Sequence, residues 1–76
     1  MGTERRRVVV PPVLVGTRLA RVVVTDEAGG SWQVETWSRS NKWAAADDLP
    51  IQRVLQGSPV SEKVLRTFGL TDSDLL

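Results

Sequence analysis

Two β-branched runs separated by a glycine pair constrain this chain more than any other feature. Residues 18–25 read Arg-Leu-Ala-Arg-Val-Val-Val-Thr, and residues 31–38 read Ser-Trp-Gln-Val-Glu-Thr-Trp-Ser. Side chains alternate across a strand, so Ala20, Val22 and Val24 share one face of the first run. Trp32, Val34 and Thr36 share one face of the second, and Gln33, Glu35 and Trp37 share the other. Residues 26–30 end in Gly29-Gly30, and glycine supplies the positive φ angles that hairpin loops need. The pattern predicts an antiparallel hairpin near 18–38, with Trp32 beside Val34 in the core.

The flanking segments extend this frame. Pro11-Pro12 forbids helix and favours polyproline II or an edge strand, and Gly16-Thr17 reads as a turn. Residues 1–10 read as a basic, partly flexible arm. Arg39-Ser40-Asn41 reads as a second tight turn. Residues 42–46, Lys-Trp-Ala-Ala-Ala, suit either a third strand or a first helical turn capped by Asn41. Alanine favours helix, whereas the short turn and the Trp-Ser…Lys-Trp pairing tip the balance to strand. Asp48-Leu49-Pro50 starts a helix whose Ile51, Val54 and Leu55 form an apolar stripe, and Gly57 ends it. Ser58-Pro59 or Ser61 starts the next helix. There Val60, Val64, Leu65 and Phe68 share a face, Gly69 stops the helix and Leu70 folds back onto the core. Thr71 caps one more turn or the tail frays. The expected fold is α+β: a small antiparallel sheet of two to four strands, then two short helices near 50–56 and 59–68. Residues 11–70 form the single domain and 71–76 a short tail.

A chain of 76 residues makes one domain and buries only ~60% of the surface its unfolded state exposes. It has no cysteine, so no disulfide adds to the core, and a homodimer is a reasonable way to gain stability. A cysteine-free chain fits a reducing, cytoplasmic setting. The apolar run after Arg5-Arg6-Arg7 mimics a signal peptide, but two prolines interrupt it and no small-x-small cleavage site follows. No stretch approaches the ~20 apolar residues of a membrane span. Eight arginines against two lysines fit a GC-rich bacterial, phage or plasmid genome.

The composition removes most catalytic chemistry. Serine- or cysteine-type nucleophilic catalysis needs a base near neutral pKa, usually histidine, and the chain has neither histidine nor tyrosine. Lys42 and Lys63 sit in polar turn or helix-surface contexts. Asp47-Asp48 and Asp72-x-Asp74 are the paired carboxylates, without the spacing of a calcium loop; the first pair serves equally well to cap a helix. Asp26-Glu27-Ala28-Gly29-Gly30 is acidic where a phosphate cradle should not be. The chain is therefore expected to be no enzyme, with no cofactor and no metal.

Charge and aromatics supply the binding candidates. Residues 1–25 carry five arginines against Glu4, net +4, and residues 26–50 carry two cations against five carboxylates, net −3. Arg5, Arg6 and Arg7, continued by Arg18 and Arg21, form the nucleic-acid candidate. Five charges on an otherwise acidic body are few for a nucleic-acid binder. Three tryptophans in so short a chain supply the other candidate. Trp37 and Trp43, with Arg39 and Lys42 beside them, would form a protein-contact patch if the sheet leaves them exposed; otherwise the helices cover both rings as core.

Residues 49–57, Leu-Pro-Ile-Gln-Arg-Val-Leu-Gln-Gly, and residues 60–70, Val-Ser-Glu-Lys-Val-Leu-Arg-Thr-Phe-Gly-Leu, carry one resemblance. Together they resemble the last two helices of short phage and plasmid helix-turn-helix regulators. In those, a recognition helix ends in Leu-x-Gly and a final helix in Leu-Gly-Leu. The two helices that precede them in that fold have predicted strands in their place here. The expectation from the whole sequence is a non-catalytic protein-interaction module, with a nucleic-acid-binding regulator as the alternative.

Overall fold

The computed structural model of the chain describes residues 6–25 and 31–75. Its strands are β1 (Arg6–Val15), β2 (Arg18–Thr25), β3 (Ser31–Ser38), β4 (Lys42–Ala45) and β5 (Ser58–Pro59). The helices are α1 (Ile51–Leu55) and α2 (Glu62–Thr67), and a 3-10 turn (Asp72–Leu75) follows. All five strands join one antiparallel sheet in the order β4-β3-β2-β1-β5. The sheet thus has one strand more than the two to four expected.

The predicted hairpin is the centre of this sheet. Val22 faces Val34 and Val24 faces Trp32, so the alternating faces fall where the sequence pattern puts them. The intervening residues 26–30 lie outside the described residues. A second hairpin joins β1 to β2: Val15 pairs with Arg18, and Gly16 takes a φ of 64° in the two-residue turn. That positive angle is open to glycine at no steric cost.

Residues 6–10, expected in the arm, belong to β1 instead. They pair with β2 from Arg6↔Thr25 to Val10↔Val22. The register slips between Val8 and Val10 and again between Val10 and Val13. The second slip spans Pro11 and Pro12. Proline has no N–H for a ladder, and an irregularity lets the strand run through it. Residues 1–5 of the arm lie outside the described residues.

Of the two helix starts the sequence offers, Ser58-Pro59 is drawn into the sheet against Leu14 and Val13, and Ser61 caps α2. Gly57 permits this approach. A β-carbon there would lie 2.6 Å from Val13 Cγ2 and 2.9 Å from the Leu14 carbonyl oxygen. α2 accordingly begins three residues after Pro59, with Ser61 Oγ accepting from the Val64 N–H at 3.3 Å.

After β4 the chain crosses one face of the sheet as α1 and reaches the far edge as β5. It then passes to the opposite face as α2. Each face carries its own core. Val13, Val15, Ala20, Val22, Val34, Ala46, Leu49 and Val54 cluster on the α1 face. Leu19, Leu65 and Leu70 cluster on the α2 face, with Leu14, Trp37, Trp43, Val60 and Phe68 packed around them. Leu55, expected on the buried stripe of α1, is instead 61% exposed, because a helix this short turns only Ile51 and Val54 to the sheet. Val64 on α2 is also partly exposed, at 37%.

The end of α2 is built as its sequence suggests. Gly69 takes a φ of 95°, its N–H donates to Arg66 O and the Leu70 N–H donates to Leu65 O. This is the Schellman arrangement, and its accompanying apolar contact is Leu70 meeting Leu65 in the same cluster. Thr71 caps the 3-10 turn: its N–H and hydroxyl both donate to Asp74 Oδ2 at 2.8 Å.

Candidate functional site

The structure brings Trp37, Arg39, Lys42 and Trp43 together, but turns them toward the chain's own C-terminal segment. Trp37 and Trp43 are register partners across β3 and β4. Their rings meet edge to face, with centroids 5.4 Å apart and planes at 61°, the geometry aromatic quadrupoles favour. Trp37 Nε1–H donates to Phe68 O at 2.9 Å, and Trp43 Nε1–H donates to Asp74 O at 3.0 Å. Both rings are half-buried against the Leu19–Leu65–Leu70 cluster. The exposed tryptophan pair is therefore not what forms; α2 and the 3-10 turn cover this face.

The two cations follow the same logic. Arg39 donates to Thr67 O at 3.3 Å and lies against Gly69, where a β-carbon would come 3.0 Å from Arg39 Nε. Lys42 Nζ sits 5.3 Å from the Trp37 ring centre and 3.6 Å from Asp74 Oδ2. Lys42 takes a φ of 58° at the start of β4, a conformation that non-glycine residues adopt uncommonly.

Arg21 is removed from the basic patch altogether. It faces Glu35 across β2 and β3, with its Nε donating to Glu35 Oε1 at 3.0 Å. Its guanidinium carbon lies 4.1 Å from the centre of the Trp43 ring. Arg21 is 8% exposed and Glu35 1%. Sequence reasoning missed Glu35 as a partner, although strand alternation places both residues on the face that carries Trp37. Arg18 is engaged too, donating to Asp48 Oδ2 at 2.8 Å. That hydrogen bond and the Arg18 charge hold the Asp48 carboxyl below its ordinary range. Of the paired carboxylates, Asp48 thus binds Arg18, Asp72 binds Arg66, and Asp74 holds Thr71 and Lys42.

The surface that stays open lies at the other end of the sheet. Arg7, Val24 and Trp32 form one row across β1, β2 and β3 on the α1 face. The core around Val54 reaches Val22, Val34 and the half-buried Val9 and Val10, and stops short of this row. Trp32 is consequently 58% exposed, which corrects its expected place in the core. Arg7 is exposed and forms no ion pair among the described residues. Beside this row, the outer side of β1 is unpaired from residue 6 to residue 12 among the described residues, since β5 reaches only Val13 and Leu14. Arg5 lies outside the described residues.

Among the described residues no group of three or more His, Cys, Asp or Glu side chains is placed to hold a metal ion. Among them, too, no helix is long and apolar enough to cross a membrane. The two segments that resemble helix-turn-helix regulators become α1 and α2, on opposite faces of the sheet, so they do not form the packed helix pair that the resemblance implies. No family model, curated protein or solved structure matches this chain.

Proposed function

We propose that this chain is a small non-catalytic protein-interaction module: an accessory, adaptor or inhibitor protein that docks on a larger macromolecule, in a cytoplasmic setting. The observation that carries the reading is the exposed Trp32, set in a row with Val24 and Arg7 beyond the reach of α1. Tryptophan and arginine are the residues that most often dominate binding energy at protein interfaces. A small domain that leaves one tryptophan exposed, while packing two others against its core, has a surface suited to a partner. The test is capture from the native host by the tagged chain, with partners identified by mass spectrometry. The W32A and R7E variants should keep the circular dichroism spectrum and lose the captured protein. Capture that is unchanged in both variants would overturn the assignment of this surface.

The nucleic-acid reading rests on the exposed Arg7 and the adjoining Arg5 and Arg6. It is weakened because Arg18 and Arg21 are committed to Asp48 and Glu35. It requires a mobility shift that fades steeply with salt and falls when residues 1–7 are removed.

A further inference from the structure

Resting on the interaction-module reading, we propose that the open edge of β1 from Arg6 to Val10 takes up an extended acidic segment of a partner protein, added to the sheet as an antiparallel strand. Three features point to this occupant. The chain itself already adds a strand here: Ser58-Pro59 pairs antiparallel with Leu14 and Val13 on the same side of β1. That edge therefore has the geometry of a template, and its remaining length is unpaired among the described residues. Unpaired strand edges present a row of N–H and C=O groups that an extended peptide satisfies.

The second feature is length. Pro11 and Pro12 lack N–H groups and coincide with a register slip, so a ladder running along β1 ends before them. The window is five residues, Arg6 to Val10, regular in register from Arg6 to Val8 and carrying the first slip between Val8 and Val10.

The third feature is charge. Arg6 and Arg7 are the first two residues of the window, and residues 6–15 contain no carboxylate. Arg7 is exposed without an ion-pair partner among the described residues. Carboxylates at alternate positions of an added strand would fall beside it on one face. A second copy of this chain supplies no such complement, because β1 paired with β1 doubles the arginines. A nucleic acid would use the arginines and leave the backbone edge unsatisfied.

The experiment titrates the isotope-labelled chain with the peptide Ac-Glu-Val-Glu-Val-Glu-Val-Glu-NH2 and follows backbone amide resonances. Three probes accompany it: the same peptide N-methylated at alternate residues, its lysine-for-glutamate counterpart, and a single-stranded oligothymidylate. Amide shifts should concentrate on residues 6–10. N-methylation should weaken binding about tenfold or more, the scale of losing a few ladder hydrogen bonds. The lysine peptide should not bind, and R7E should weaken the acidic peptide while leaving the rest of the spectrum in place. The proposal is overturned by equal binding of the N-methylated peptide, by shifts centred elsewhere, by tighter binding of the oligothymidylate at these residues, or by a β1-mediated dimer that excludes the peptide. If the peptide fails while the chain still captures a protein that W32A releases, this inference falls and the interaction-module reading stands. If capture fails as well, both fall.

Discussion

Arg21 and Glu35 are direct partners across β2 and β3, joined by Arg21 Nε and Nη2 to the same carboxylate oxygen at 3.0 and 2.9 Å, and both are buried. The Trp43 ring lies 4.1 Å from the guanidinium carbon, so the cation is held between a carboxylate and an aromatic face. Removing Glu35 takes the carboxylate from the buried Arg21 charge, which costs about 3–5 kcal/mol. A domain of this size has only about 4–11 kcal/mol in total, at the usual stability per residue. E35A is therefore expected to be largely unfolded by urea titration, whereas the apolar double variant R21M/E35L regains most of the loss. A stable E35A with an unchanged midpoint would contradict the buried pairing.

The three tryptophans should separate cleanly. Trp37 and Trp43 pack in the α2-face core and anchor Phe68 and Asp74. Replacing either by alanine is expected to cost about 3 kcal/mol, the low end for a large aromatic. W32A should stay within about 0.5 kcal/mol of the parent, as surface substitutions do. Thermal denaturation of the three single variants gives the comparison.

Gly57 is tolerant in φ but not in space. A β-carbon there meets Val13 Cγ2 at 2.6 Å and the Leu14 carbonyl oxygen at 2.9 Å. G57A is expected to cost about 1–3 kcal/mol, as overpacking does, and to loosen the β1–β5 pairing. Amide hydrogen exchange at Ser58 and Leu14 reports that loosening directly. G16A tests a different cause, since open space surrounds Gly16 and its φ of 64° is the sole obstacle.

Asp74 links acid sensitivity to one segment. The Thr71 N–H, the Thr71 hydroxyl and then Lys42 hold its carboxyl below the ordinary value of 3.8. A group depressed in the folded state adds stability above its unfolded pKa and loses that contribution as pH falls through the folded one. The 3-10 turn should therefore stay closed at neutral pH and loosen in the window below about pH 4, the unfolded carboxylate range. Trp43 fluorescence follows the opening, because its indole N–H is bound to Asp74 O. In D74N the acid response at Trp43 should shrink.

What the sequence made legible was local. The alternation of Ala20, Val22 and Val24 placed the hairpin faces correctly. Gly57, Gly69 and Leu70 marked helix ends that formed as expected, and of the two alternatives at Thr71 the capped turn is the one that forms. What it hid depended on distant partners. Pro11-Pro12 disguised β1, because the register slip that carries a strand through two prolines is visible only against β2. Ser58-Pro59 carries the signature of a helix start and is captured by β1 instead. Trp32 has the same parity as Val34, and only the landing point of α1 leaves one outside and the other inside. Trp37 and Trp43 are half-covered for a related reason: alternation predicts which side a ring takes, not which segment later packs against it.

The sheet acts as a partition between two rooms. Among the described residues, the Val54 cluster and the Leu65 cluster share no residue. Each room has its own light: Trp32 stands on the α1 side, and Trp37 and Trp43 on the α2 side. Single-tryptophan versions of this chain would thus record events on one wall without interference from the other. A partner arriving at the Arg7 row would dim one lamp, and the release of the C-terminal turn would brighten or shift the other.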